Sequence, residues 1–348
     1  MGVLHMTVWG AWTEGMRRVS RAPVVWGAIW LVTLLFSVPL TLGVRGDLLR
    51  QLGPSLEAAT QVANVTYDWL AEYGDQATGV SATLAPSVLG FAAVVDDVSA
   101  WLDAESRSLV IVATGAAYAL LWTFLAGGII DRLARDRATR AHAFFQACGG
   151  YGFRLLRLSL LAGLIYLMLF GRLHPWLFDT LFDRWTESLD SERTAALIRA
   201  AMYLSFAAVL ATVNLWFDYA KVRLVVEDRG SAIGALRAAW WHIRRATGGT
   251  LMLYFLDAAL AGAVLAAYAV LAPGPASTWL AFIVGQLYIA GRIWVKLVFW
   301  ATETVWFQGR TAHAGYTARR LPVWPESAAA ESLESRYTLL SRPPTEAP

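Results

Sequence analysis

The chain has 348 residues, 57% of them apolar and only 16% charged, where a soluble domain carries roughly 25% charged residues. The 17 tryptophans and a mean hydropathy of +0.47 point the same way. This composition excludes a disordered chain, and a single cysteine, Cys148, excludes a disulfide scaffold or a cysteine-held zinc. A multi-pass membrane protein remains.

Near the N-terminus, Trp9, Trp12, Met16 and Val19 form an apolar stripe beside Arg17, Arg18 and Arg21, ended by Pro23. The first span is expected at 23–44. The stretch 22–44 is 23 residues without a charge, and ~20 suffice to cross a hydrocarbon core about 30 Å thick. It exceeds the h-region of about 7–15 residues in a signal peptide, so it reads as an uncleaved anchor. The loop 45–107 has 63 residues, too many for a structureless connection. Helical patterns over 54–73 and 86–103 make it a small acidic cap. Its Asn64-Val65-Thr66 matches a glycosylation sequon but has no eukaryotic secretory context around it.

The second span is expected at 108–130. Thr139 then caps a short segment holding Phe144 and Phe145, ended by Gly149-Gly150. The third span, 154–171, has only 14 charge-free residues, 158–171. It crosses if Arg154 and Arg157 snorkel to the headgroups. The fourth is expected at 197–217. Ser231 caps a helix with Ile233, Leu236, Trp240 and Ile243 on one face and Arg237, Arg244 and Arg245 elsewhere. Gly248-Gly249 breaks it before the fifth span, 250–272. Pro273-Gly274-Pro275 turns the chain into the sixth, 278–302. Residues 1–307 form the transmembrane domain and 308–348 a cytoplasmic tail.

Lipid offers no partner to an open backbone group, so every span is helical. The expected fold is an all-α membrane protein of six helices, with interfacial amphipathic helices before spans 1, 3 and 5. That layout suggests three helical-hairpin repeats. It also suits the basic preludes of any spans that start from the inside.

Arginine carries the orientation signal. Of 29 Lys and Arg, 20 fall in 1–22, 131–157, 218–247 and 303–348, and 6 in 45–107, 172–194 and 273–278. The positive-inside rule therefore places both termini in the cytoplasm of a bacterial inner membrane. The pI of about 9.1 comes from these dispersed juxtamembrane residues, which suit lipid headgroups and not nucleic acid.

No Walker loop, His-Glu-x-x-His or cysteine pair is present, and no cofactor or metal is expected. His174 and Asp179 have the His-x4-Asp spacing of glycerolipid acyltransferases. On the outer side, without acyl-CoA, they read instead as an interfacial anchor around Trp176. Gly149-Gly150-Tyr151-Gly152 is similar to a potassium filter but lies on the wrong side for one, and reads as a hinge.

The intramembrane charges are the stronger lead. Arg292, Lys296 and Glu303 share one face of span six within about 40°, with Gly285 on the same stripe. Asp257 in span five is the expected partner of Arg292, with Lys296 as second choice, both lying about 15 Å deep. Ala258, Gly262 and Ala266 form a small-residue face for span five. Asn214 and Asp218 complete the cluster. Two readings follow: a structural ion pair docking spans five and six, or a cytoplasm-facing polar cavity that binds an anion, a headgroup or a proton.

The stretch Phe217-Asp-Tyr-Ala-Lys-Val-Arg-Leu-Val-Val-Glu-Asp-Arg-Gly, the helix Ser231 to Arg245, Gly285-Gln-Leu-Tyr and Arg292-Ile-Trp-Val-Lys-Leu resemble an uncharacterised family of bacterial inner-membrane proteins. The layout is also similar to the membrane domain found beside glycerophosphodiester phosphodiesterases. Neither resemblance implies an activity or functional residues. The expected function is therefore non-enzymatic: a lipid-contacting scaffold or accessory subunit of a membrane assembly, with membrane lipids and protein partners. The alternative is a transporter of a small anion or lipid. Cysteines placed at Asp75 and Asp190 should react with an impermeant reagent in intact cells, and one at Arg320 should not. The reverse pattern would overturn the orientation.

Overall fold

Apolar stretches without water must close their own backbone hydrogen bonds, and among the described residues every regular element is helical. The computed structural model describes residues 6–53, 67–83, 90–105, 108–189, 191–272 and 277–311. The sequon, the first parts of both expected cap helices, the Pro-Gly-Pro turn and the expected tail from 312 lie outside them.

Helix α1 (Val8–Ser20) starts at Thr7, whose hydroxyl accepts from Gly10 N at 3.1 Å. Helix α2 (Pro23–Leu52) opens on a proline at its first position and passes the expected end at 44. The loop beyond holds α3 (Tyr67–Gln76), a 3-10 turn (Ser81–Thr83) and α4 (Gly90–Leu102). Helices α5 (Leu109–Arg135) and α6 (Ala141–Met168) follow. The latter continues through π-helical stretches Leu169–Leu173 and Trp176–Leu181 into α7 (Phe182–Thr186). Then come α8 (Glu192–Val226), α9 (Ala232–Arg245), α10 (Thr247–Leu271) and α11 (Thr278–Arg310).

Among the described residues, six helices are long and apolar enough to cross a membrane: α2, α5, α6 with its continuation, α8, α10 and α11. Only 6–22% of each apolar window is buried within the protein, and Leu31, Leu160, Leu204 and Val270 are exposed. So much contiguous apolar surface is stable against lipid and not against water. The fold is that of an all-α membrane protein. The third span, the shortest on charge count, is the longest helix at 46 residues from Ala141 to Thr186. Arg154 is accommodated by Asp228, 2.5 Å from its Nη1, and Arg157 lies 4.4 Å from the Phe153 ring.

The expected preludes need correction. Separate helices precede the first and fifth spans, but α6 runs unbroken through Gly149-Gly150. A mid-helix glycine costs only about 1 kcal/mol relative to alanine, and close packing against α5 outweighs that here. A Cβ on Gly128 would lie 2.6 Å from Cys148 Sγ and 2.8 Å from the Phe144 carbonyl. Gly248-Gly249 likewise lie inside α10, and the chain breaks at Ala246. The helix-then-hairpin layout is thus present twice, not three times.

Nor is α1 a free surface helix. Its Ala11, Gly15 and Val19 are buried, and it packs along α11. Arg18, 6% exposed, donates to Glu14 at 3.0 Å and to Leu133 O and Gln308 Oε1, both at 2.9 Å. Gln308 in turn donates to Ala134 O at 3.0 Å. Arg17 bridges Glu14 and Asp136 and, with Arg18, holds the Glu14 carboxyl below its usual range. Arginines expected at headgroups thus tie α1 to the ends of α5 and α11. Helix α9 splits its stripe: Leu236 and Ile243 are buried, while Ile233 and Trp240 are exposed. It docks on α8, where the Trp216 indole donates to Leu236 O at 2.8 Å.

The small-residue face also falls elsewhere. Ala258, Gly262 and Ala266 are exposed, and nothing lies within 4 Å of a Cβ at Gly262 or Gly285. Helix α10 meets α11 through Thr250, Asp257 and Val264, which lie against Trp306, Thr302 and Gly291. Ala258 is 100° round the helix from Asp257.

A Cβ on Gly15 would lie 2.8 Å from Thr302 N and Cα, main-chain atoms that cannot step aside. Gly15→Ala should therefore lower stability by about 1–3 kcal/mol in a detergent melt. Gly149→Ala, with nothing within 4 Å of its Cβ, should be neutral or stabilising. Equal effects at the two sites would contradict the α1–α11 packing.

Candidate functional site

Helix α11 brings Arg292 and Lys296 to one side, one turn apart. Both side chains line a cavity of about 630 Å³ between α2, α5, α6, α8 and α11. Its wall carries two hydroxyl pairs: Thr33 with Tyr118 at 2.7 Å and Thr123 with Ser159 at 3.0 Å. Lys296 Nζ sits 5.3 Å from the Trp300 ring and 5.5 Å from the Trp122 ring. These indoles meet edge to face at 5.6 Å. Lys221 also reaches this wall, 5.5 Å from the Trp300 ring.

Asp218 balances Lys221. Its Oδ1 accepts from Lys221 Nζ at 2.6 Å and from the Trp300 indole at 3.2 Å. Its Oδ2 accepts from Asn214 Nδ2 at 3.1 Å. The carboxylate is 3% exposed and fully engaged with these neighbours. The expected grouping of Asn214 with Asp218 therefore holds, through the one-turn spacing on α8.

Arg292 is shared by two further cavities. One, of 280 Å³, also holds Asn214, Asp218, Tyr254 and Lys296. The other, of 840 Å³, lies against α4 and includes Asp97, Trp101 and Glu105. The guanidinium lies 5.7 Å from the Tyr288 ring. Among the described residues, no carboxylate lies within 4.0 Å of the charged nitrogens of Arg292 or Lys296.

The expected Asp257–Arg292 pair does not form. Asp257, fully buried, accepts from Thr302 Oγ1 at 2.6 Å, with the Trp12 indole of α1 alongside. The reason is register: α11 continues to Arg310, eight residues past the expected end of span six. Asp257 is thus level with Thr302, and Arg292 lies ten residues, about 15 Å, farther along. Glu303 stays within electrostatic reach of Lys221 and Lys296 without pairing directly with either. It is 2% exposed, and neither carboxyl oxygen has a hydrogen-bond partner.

Lys221, Trp122, Trp300 and the hydroxyl pairs were not singled out from the sequence. Lys221 had a usable signal, as one of only two lysines and three residues from Asp218. The indoles and hydroxyls had none, since they come from four separate helices. Outside the cavity, His174 Nε2 is 2.8 Å from Leu102 O, and its ring packs on Phe170, Phe178 and Phe206. No hydrogen bond or ion pair joins it to Asp179 among the described contacts, and Trp176 beside it is exposed. The tetrad Gly149 to Gly152 is plain helix against α5.

No protein-family model matches the chain, and comparisons with curated proteins and with solved structures give no match either.

The register makes a prediction. Asp257→Asn and Arg292→Gln should change the melting free energy additively, as sites more than about 7–10 Å apart do within ~0.5 kcal/mol. Asp257→Asn with Thr302→Val should be non-additive. Strong coupling between Asp257 and Arg292 would restore the ion pair and refute this register.

Proposed function

We propose that this chain is an integral membrane protein that binds an anion, or the anionic part of a lipid, inside the bilayer as the binding step of transport or lipid handling. The observation that carries this reading is the exposure of Arg292 and Lys296 to internal cavities without a carboxylate partner. A cation at mid-membrane costs roughly 2.5–3.5 kcal/mol on insertion scales, and like charges one turn apart repel. Lys221, which has no such role here, is neutralised by Asp218. A bound anion supplies the missing countercharge for the other two. No catalytic step belongs to this reading. Placement in a bacterial inner membrane with both termini cytoplasmic is part of it, supported by the arginine distribution.

The scaffold reading draws on a different observation. The outer face of α9 exposes Ile233, Trp240 and Trp241 among Arg237, Arg244 and Arg245, a composition suited to the headgroup layer. It leaves the two cations without a role and ranks second.

Melting of delipidated protein separates a binding site from a structural pair. Arg292→Gln and Lys296→Gln should leave ligand-free stability unchanged or raised, because each removes an uncompensated charge. Loss of about 3–5 kcal/mol in either, the cost of breaking a buried pair, would overturn the binding-site reading.

A further inference from the structure

We infer that the central cavity takes a phosphate-headed amphiphile, with the phosphate against Arg292 and Lys296 and a hydrocarbon part along the apolar wall. This rests on the anion-binding reading and adds the chemical class of the ligand. Two cations one turn apart match the −1.5 to −2 charge of a phosphate monoester near pH 7. Beside them the hydroxyls of Tyr118 and Ser159, which donate to Thr33 and Thr123, can turn to donate to remaining phosphate oxygens.

Apart from Thr33 and Lys221, the rest of the wall is apolar, with Ala119, Trp122, Ala126, Leu155, Ile289 and Ile293. A free oxyanion would exchange its water for that surface and gain nothing from it. The size argues in the same direction. At ~30 Å³ per water, about 630 Å³ is far more than one oxyanion fills, and it falls within the ~300–1,000 Å³ of sites that bury mostly apolar ligands with a few polar anchors. The larger cavity on the other flank of Arg292 contains Asp97 and Glu105, whose charge disfavours an anion. The headgroup is therefore held on the Lys296 side of Arg292, in the cavity whose lining includes no carboxylate.

The test uses the full chain, purified in a non-ionic detergent and depleted of lipid. Thermal stabilisation is titrated with dihexanoyl phosphatidic acid, inorganic phosphate and zwitterionic dihexanoyl phosphatidylcholine. Phosphatidic acid should stabilise saturably, with at least tenfold higher apparent affinity than either other probe. Arg292→Gln with Lys296→Gln should weaken it at least tenfold, and Arg292→Lys with Lys296→Arg should retain most of it. Should the neutralised variant fail to fold, the ranking of the three probes on the unmodified chain still decides. Inorganic phosphate binding as tightly as phosphatidic acid would overturn the amphiphile and leave the anion site standing. Phosphatidylcholine binding equally well, with no effect of neutralisation, would overturn both. Binding of none of the three would overturn the phosphate amphiphile.

Discussion

The structure depends on the burial of the last turns of α11. From Val298 to Gln308 only Phe299 is more than slightly accessible, and helices α1, α5, α8 and α10 close around this stretch. A helix gripped on all sides can neither rotate nor slide, because cores tolerate little change in shape or volume. The polar groups within that grip are fixed with it. Thr302 answers Asp257, Gln308 joins Arg18 to the end of α5, and Gly15 lets α1 lie directly on the α11 backbone.

That anchoring sets the position of Arg292 and Lys296 two to three turns away. Arg292 is 14 residues from Thr278 and 18 from Arg310, about 21 and 27 Å along the helix. Its side chain also reaches the cavity against α4 that holds Asp97 and Glu105. Lys296 gains from its two indoles, but a cation–π contact is worth only about 0.5–2 kcal/mol, against roughly 2.5–3.5 kcal/mol for each cation at depth. In the function proposed above, an anionic ligand offsets the shortfall. Asp218 acts on Lys296 only at longer range, since its direct contacts are Lys221, Asn214 and Trp300.

The spans were legible in the sequence because insertion in lipid depends on charge-free length, a local property. The helix ends were less so. Glu303 marked the expected end of span six because a carboxylate normally signals water, yet protein encloses it here. The helix runs on eight residues past that point, so Asp257 meets Thr302 and not Arg292. The same habit made the third span look short, as Arg157 and Arg172 bounded its charge-free run although the helix continues through both. The cationic pair itself was readable from its four-residue spacing. The cavity around it was not, because its wall joins residues from Thr33 to Trp300 that only the packing of five helices brings together. The arginines of α1 misled for a related reason: a basic amphipathic helix reads the same whether its charges face headgroups or, like Arg18, the carbonyls of a neighbouring helix end.

The central claim is that Arg292 and Lys296 receive their countercharge from a ligand and not from the protein. The most direct measurement is a high-resolution cryo-EM map of the full chain in nanodiscs of native lipid. The account predicts density from a non-protein group in contact with both Arg292 and Lys296, inside the cavity walled by Trp122 and Trp300. A map showing Arg292 paired with Asp257 or another carboxylate, with that cavity closed by side chains, would contradict it.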